Sequence, residues 1–266
     1  MHLPFYKYQG TGNDFIVVDN RQDILHTYSN SLVQKLCNRR FGIGADGFIV
    51  IKNHHGYDFE MTYHNADGSQ SLCGNGSRCA VHLAKHLGII GHEAYLLTTD
   101  GPHRAYVKED LIHLQLNDVS EIQTLQDGYL INTGSPHYVK QVDDCKGLDV
   151  CKEGKRIRNT PPFQKKGINV NFVSLEKNNE ISVRTYERGV EDETLSCGTG
   201  VVAASLMAAI KGHISPITIH TKGGTLQVSF TKRNNHRFQS IHLIGPAEMV
   251  FKGDIDINYI AKQLPQ

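Results

Sequence analysis

The sequence predicts an α+β fold of two pseudo-symmetric duplicated halves, each a sheet wrapped around a central helix. Three observations predict it. Most of the chain reads as short runs of β-branched and aromatic residues bounded by Gly, Asn and Asp. Helical periodicity is clear in few places, and one of those helices has no polar face. Above all, one pattern occurs twice: strand, polar loop, Cys-Gly-X-Gly, helix.

In the first half, strands are expected at 14–19, 47–52, 57–64, 94–99, 104–108 and 111–116. A helix at 31–39 follows Ser29-Asn30, which can cap it. A helix at 76–87 puts Cys79, Leu83 and Leu87 on one stripe and stops at Gly88. In the second half, strands are expected at 129–133, 138–142, 167–175, 180–187, 217–221, 225–230, 240–243 and 247–252. A helix at 200–211 is apolar almost all round, the pattern of a buried helix, and Gly212 ends it. The halves are expected to span 1–117 and 118–253, with the break near 116–122. The C-terminal stretch 254–266, chiefly 257–264, is expected to return to the first half.

The repeat carries the chemistry. Thr62-Tyr63 leads through a Gly-containing loop to Leu72-Cys73-Gly74-Asn75-Gly76. Thr185-Tyr186 leads through a similar loop to Ser196-Cys197-Gly198-Thr199-Gly200. Glycines let a backbone turn sharply and bring its N–H groups close to a ligand. The first turn of a helix has unpaired N–H groups and a partial positive charge, so it attracts carboxylates and favours the thiolate of a cysteine placed there. A single cysteine of this kind reads first as a small buried hydrophobe. Two related by duplication point instead to a pair of thiols acting on one carbon, one as base and one as acid. Such a pair inverts a stereocentre, and helix N-termini can stabilise the charge that develops on the carboxylate.

Composition narrows the class. Lys and Arg number 28 against 27 Asp and Glu, a formal charge of +1, which supplies no broad positive field for nucleic acid or a membrane surface. The longest mostly apolar stretch, 201–210, is too short to span a bilayer. The opening MHLPFYKYQG has no basic start followed by an apolar run, so a soluble, cytoplasmic protein is expected. The six cysteines, Cys37, Cys73, Cys79, Cys145, Cys151 and Cys197, include no CxxC pair, and reduced thiols are expected. The 15 histidines show no ligand spacing, and no metal site is expected.

The ordered motifs resemble the diaminopimelate epimerase family. They are Gly10-Thr11-Gly12-Asn13-Asp14-Phe15, Gly42-Ile43-Gly44-Ala45-Asp46-Gly47, and Asn65-Ala66-Asp67-Gly68-Ser69 before Cys73-Gly74-Asn75-Gly76. Ser135-Pro136-His137, Gly167-Ile168-Asn169-Val170, and Tyr186-Glu187-Arg188-Gly189 before Cys197-Gly198-Thr199-Gly200 complete the set. The resemblance implies a cofactor-independent enzyme that interconverts LL- and meso-diaminopimelate in lysine and cell-wall precursor synthesis, acting as a homodimer. By this resemblance Cys73 and Cys197 match the catalytic thiols, and His137 and Glu187 match groups that polarise them. Asn13, Asn65 and Asn169 match residues that bind the polar ends of the substrate. Gly74-Asn75 and Gly198-Thr199 match a carboxylate cradle, and Glu187 and Arg188 match an ammonium and a carboxylate partner.

Two rivals stand beside this reading: a proline racemase or hydroxyproline epimerase, and a non-catalytic amino-acid-binding protein. Two departures from the family pattern bear on the distal end of the substrate. Ser135 stands where many members have asparagine, and Gly47 where some have a glutamine.

Overall fold

Phe15-Ile16-Val17-Val18 and Phe48-Ile49-Val50-Ile51 are unbroken apolar runs, the pattern of strands buried on both faces. In the computed structural model, which describes residues 2–262, these runs form two adjacent parallel strands, β2 (Asn13–Asp19) and β3 (Gly47–Lys52). The chain divides into two compact units, the first drawn from Met1–Leu114 and Pro246–Gln266, the second being Gln115–Gly245.

In the first unit β1 (His2–Gly10) lies between β2 and β17 (Glu248–Asp256), antiparallel to both. Beyond β3 come β4 (Phe59–Asn65), antiparallel to it, and β5 (Glu93–Thr98), parallel to β4. An antiparallel meander of β6 (Gly101–Lys108) and β7 (Leu111–Gln115) completes the sheet. Each parallel pair requires a crossover. These are α1 (Asn30–Cys37), capped by Ser29, and α2 (Gly74–His86).

The second unit repeats this plan. β8 (Ile122–Leu125), β9 (Gly128–Asn132) and β10 (Pro136–Gln141) pair antiparallel, and β10 runs parallel to β11 (Asn169–Leu175). The crossover between them holds α3 (Val150–Arg158) and α4 (Pro161–Gln164). β12 (Glu180–Glu187) is antiparallel to β11 and carries the short β13 (Asp192–Thr194). The chain then crosses through α5 (Gly198–Ile210) to β14 (Ile217–Thr221), parallel to β12. β15 (Gly224–Lys232) and β16 (Phe238–Gly245) follow antiparallel. The order of pairing senses is therefore the same in both units, and the duplicated α+β plan is present.

In each unit the strands pack around one helix. α2 packs on β1, β2, β3, β4 and β17, and α5 on β9, β10, β11, β12, β14, β15 and β16. Val201, Val202, Leu206 and Met207 of α5 are buried, each stabilising by roughly 1.5–3 kcal/mol on transfer from water. On the outer face of β1, β2 and β3, Val33 and Leu36 of α1 meet Leu3, Phe5, Ile16, Val18, Phe48 and Val50. Under α3, Val150 and Ile157 meet Tyr138, Val170, Phe172 and Tyr186.

The units differ from the expected 118–253 partition on the C-terminal side. β17 pairs with β1 from His2↔Asp256 to Gln9↔Glu248, so residues 246–253 belong with the first unit. β17 fills the place that β8 fills in the second. α6 (Ile257–Lys262) follows, and its Ile257 and Ile260 join the cluster under α1; residues 263–266 of the expected return lie outside the described residues.

Several elements have no clear pattern in the sequence. β1 contains Pro4 and places Lys7 at a buried position, where its ammonium lies 2.6 Å from Asp14. α3 buries only Val150, Gly154 and Ile157. Gly154 must be glycine there, because a Cβ would stand 2.3 Å from Tyr186 Cβ. Among the described residues no helix is long and apolar enough to cross a membrane.

Candidate active site

The central helices begin two residues earlier than expected, at Gly74 and Gly198, and this makes each repeat cysteine an N-cap. Cys73 (φ −131°, ψ 107°) and Cys197 (φ −112°, ψ 109°) share the same extended backbone. Gly76 and Gly200 open room beneath them. A Cβ on Gly76 would meet Ile49 Cδ1 at 3.1 Å, and one on Gly200 would meet Asn171 Oδ1 at 2.3 Å.

In the first unit the Gly76 N–H donates to Cys73 Sγ at 3.3 Å, and the Cys73 thiol lies 3.6 Å from Asn13 Oδ1. Asn75 Nδ2 donates to the same oxygen at 3.3 Å, so Asn13, Cys73 and Asn75 are brought together. Asn13 Nδ2 in turn donates to Asp46 Oδ2 at 2.7 Å. Asp46 belongs to a charged cluster in which Arg39 bridges it to Asp14, and Asp14 also meets Lys7. Burial alone would raise the Asp14 carboxyl, but its hydrogen bonds to Arg39 and Lys7 outweigh that and hold it well below the usual carboxylate range. Asn65 sits at the end of β4, its amide donating to Ser69 Oγ at 3.0 Å and Ser71 Oγ at 3.2 Å. Gly74 is buried in the first turn of α2.

Gly47, opposite Asn65 in the ladder, has no room for a side chain: a Cβ would stand 2.3 Å from Tyr63 Cε2. The Tyr63 ring, edge-on to Phe15, stands where a side chain at position 47 would be.

In the second unit Thr199 Oγ1 lies 3.6 Å from Cys197 Sγ and 3.0 Å from His137 Nε2. The Asn171 amide donates to His137 Nδ1 at 3.0 Å, and Thr185 Oγ1 donates to Asn171 Oδ1 at 2.9 Å. This buried chain runs from β12 through β11 and β10 to the start of α5, where Gly198 is buried. His137 is 0% exposed, and burial, aided by the positive charge of Arg188, pulls its imidazole down to about 3. It is therefore neutral.

Asn169 Nδ2 donates to Ser135 Oγ at 2.9 Å, so the departure at Ser135 has a use: its hydroxyl holds the asparagine. Asn169 Oδ1 accepts from the Arg188 backbone N–H at 2.9 Å. The Arg188 side chain is exposed, with Nη1 3.3 Å from the Lys166 carbonyl. Glu187 Oε2 accepts from Thr194 Oγ1 at 2.8 Å.

Burial pushes the Cys37 thiol up to about 12 and raises those of Cys79 and Cys145, so all three stay protonated. Sequence reasoning missed Asn171, Thr185 and Asp46. A signal existed for Asn171, which lies two residues beyond Asn169 on a strand and so shares its face. Among the described residues no group of His, Cys, Asp and Glu is placed to hold a metal ion.

The family model described as Diaminopimelate epimerase matches residues 5–111 and 129–250. The chain belongs to the diaminopimelate epimerase family. The diaminopimelate epimerase of Flavobacterium psychrophilum is 48% identical over 257 residues, covering 95% of this chain and 100% of that protein. That of Chlorobaculum tepidum is 41% identical over 260 residues, covering 93% and 99%. Among solved structures, a phenazine biosynthesis protein of the PhzF family from Bacillus anthracis superposes with a TM-score of 0.70. It is 14% identical, with 96% of this chain and 99% of that chain covered, a likeness of fold alone. Membership at this level of identity does not favour the proline-ring or non-catalytic alternatives.

Proposed function

We propose that this chain interconverts LL- and meso-diaminopimelate without a cofactor, in the synthesis of lysine and cell-wall precursors. It is an isomerase of the amino-acid epimerase class. The observation that carries the two-thiol mechanism is the duplicated cap: each unit starts its buried central helix at a cysteine whose sulfur faces a side-chain oxygen.

In this reading one cysteine, as thiolate, takes the α-proton, and the electron pair of the broken C–H bond is delocalised toward the carboxylate. The other cysteine, as thiol, gives its proton to the opposite face of the same carbon. One C–H bond breaks and one forms, with no change in oxidation state. After one turnover the two sulfurs have exchanged roles, which suits a reversible reaction. The backbone N–H groups of Gly74-Asn75 and Gly198-Thr199 receive carboxylate oxygens at helix starts, where the charge developing in the transition state is best stabilised. Asn13, Asn65 and Asn169 bind the polar ends of the substrate. Glu187 accepts from its ammonium, and the Arg188 guanidinium pairs with a carboxylate. His137 acts on the second thiol through Thr199.

The enzyme is placed in the cytoplasm, where its small soluble substrate would be, and as a homodimer, which light scattering tests. Purified protein incubated with LL-diaminopimelate should yield the meso isomer on chiral chromatography, and L-proline should stay unchanged. Racemised proline with untouched diaminopimelate would refute the substrate assignment.

A further inference from the structure

Arg78 lies in α2, one turn beyond the Cys73 cap, and its side chain is 0% exposed. Its guanidinium donates to Asn75 Oδ1 at 3.0 Å, to Thr11 Oγ1 at 3.3 Å and to the Pro246 carbonyl at 3.4 Å. All three partners are neutral. Among the described residues no carboxylate forms an ion pair with it. A buried guanidinium without an anion is costly, because no ion pair offsets its loss of hydration.

The room for this cation is built. A Cβ on Gly10, at the end of β1, would stand 3.2 Å from the Asn75 carbonyl, 3.3 Å from Cys79 Sγ and 3.4 Å from Arg78 Nη2. Burial pulls Arg78 down to about 10, still far above neutral pH, so it remains a cation. The groups whose charge acts on it are Cys79 and Cys73. Cys79 and its neighbour Tyr8 are both raised by burial and stay neutral. Cys73, half-buried at the cap, is the group left to answer the charge.

The second unit has no counterpart. In the repeat, Val202 stands after Cys197 where Arg78 stands after Cys73, and Val202 is buried. The chain behind Cys197 passes through a neutral histidine instead. The two thiols of a duplicated site are therefore backed by different devices.

We infer that Arg78 is a positioning residue for the first thiol: its fixed positive charge favours the Cys73 thiolate, and its hold on Asn75 Oδ1 sends Asn75 Nδ2 to Asn13 Oδ1, the oxygen that lies beside the sulfur. The hydrogen bonds follow one another. With Oδ1 taken by Arg78, Asn75 presents Nδ2 to Asn13 Oδ1, and Asn13 presents its own Nδ2 to Asp46. This inference rests on Cys73 being an acid–base group in the proposed reaction.

The test compares the two thiols in one molecule. Wild type, Arg78→Met and Arg78→Lys are exposed to limiting iodoacetamide at pH 7, and alkylation at Cys73 and Cys197 is followed by peptide mass spectrometry. Methionine keeps the length and apolar packing, since replacing buried charge by a well-packed apolar side chain is often tolerated. Loss of one pKa unit of stabilisation cuts the thiolate fraction about tenfold, so Arg78→Met should slow Cys73 about tenfold or more and Cys197 less than about twofold. Arg78→Lys should keep the Cys73 rate within about threefold while lowering kcat, because a point charge cannot replace the fork on Asn75. Unchanged Cys73 reactivity in Arg78→Met, or an equal change at both cysteines, overturns the inference. Should the methionine variant not fold, a Cys73 rate lowered tenfold in Arg78→Lys overturns the charge effect by itself. Failure of wild type to epimerise diaminopimelate would instead count against the proposed function, and the alkylation comparison would remain readable.

Discussion

The Asn171 side chain fixes which nitrogen of His137 carries the proton. Its Nδ2 lies 3.0 Å from His137 Nδ1 and 3.4 Å from the Tyr138 carbonyl, which can only accept. The amide therefore turns its NH2 toward β10, His137 Nδ1 accepts, and Nε2 keeps the hydrogen. Nε2–H then donates to Thr199 Oγ1, and the threonine hydroxyl, 3.6 Å from Cys197 Sγ, can donate to a thiolate there or accept from a thiol.

Asn171→Leu should therefore lower kcat about tenfold, the worth of one lost buried hydrogen bond, with KM changed much less because Asn171 is remote from substrate in this reading. Imidazole ¹⁵N shifts of His137 should show a single Nε2–H tautomer in wild type and a mixture in the variant. A variant with wild-type tautomer and wild-type kcat would remove Asn171 from the chain.

His137 also gives a pH signature. Its imidazole is pulled from 6.5 to about 3 in the folded protein, so between those values the unfolded chain binds a proton that the folded one does not. Stability should fall as pH drops from about 6.5 toward 3, with this residue contributing up to about 1.4 kcal/mol per pH unit. Urea titrations of wild type and His137→Gln across this window test it. The variant should show the shallower acid slope; parallel slopes would mean that His137 does not stay neutral in the fold.

The last glycines of the two Cys-Gly-X-Gly motifs, Gly76 and Gly200, should respond unequally. A methyl on Gly76 meets the end of the Ile49 side chain at 3.1 Å, which a small rotation relieves. A methyl on Gly200 meets Asn171 Oδ1 at 2.3 Å, and that amide is held at both ends by Thr185 and His137. Gly200→Ala should cost about 1–3 kcal/mol in urea unfolding and disturb Cys197, while Gly76→Ala should cost clearly less. Equal losses would show that the Asn171 chain is not rigid.

How much of this was legible in the sequence depended on whether a residue announces its role locally. The two Cys-Gly-X-Gly loops, their flanking strands and the all-apolar second helix did so, and they carry the duplication. β17 gave no sign of its partner, because pairing with β1 across nearly the whole chain leaves no local trace. β1 hid behind Lys7, a charge at a core position that its contacts with Asp14 and the Gly44 carbonyl explain. In the site, the cysteines and the helices that follow them were readable from spacing, but not that each cysteine is itself the cap. Arg78 and Asn171 were not, since an arginine in a helix and an asparagine in a strand look like surface residues until burial and partners are known.

The central claim is that two cysteines, one from each repeat, move the proton. LL-Diaminopimelate incubated in deuterated water, with isomers separated and deuterium located by NMR, tests it directly on wild type, Cys73→Ala and Cys197→Ala. Wild type should produce the meso isomer with one solvent deuteron at the inverted carbon early in the reaction. Each alanine variant should lose about 10²- to 10⁴-fold in turnover, the usual contribution of a positioned acid–base group. Near-wild-type turnover by either variant, or inversion without deuterium uptake, would contradict the mechanism.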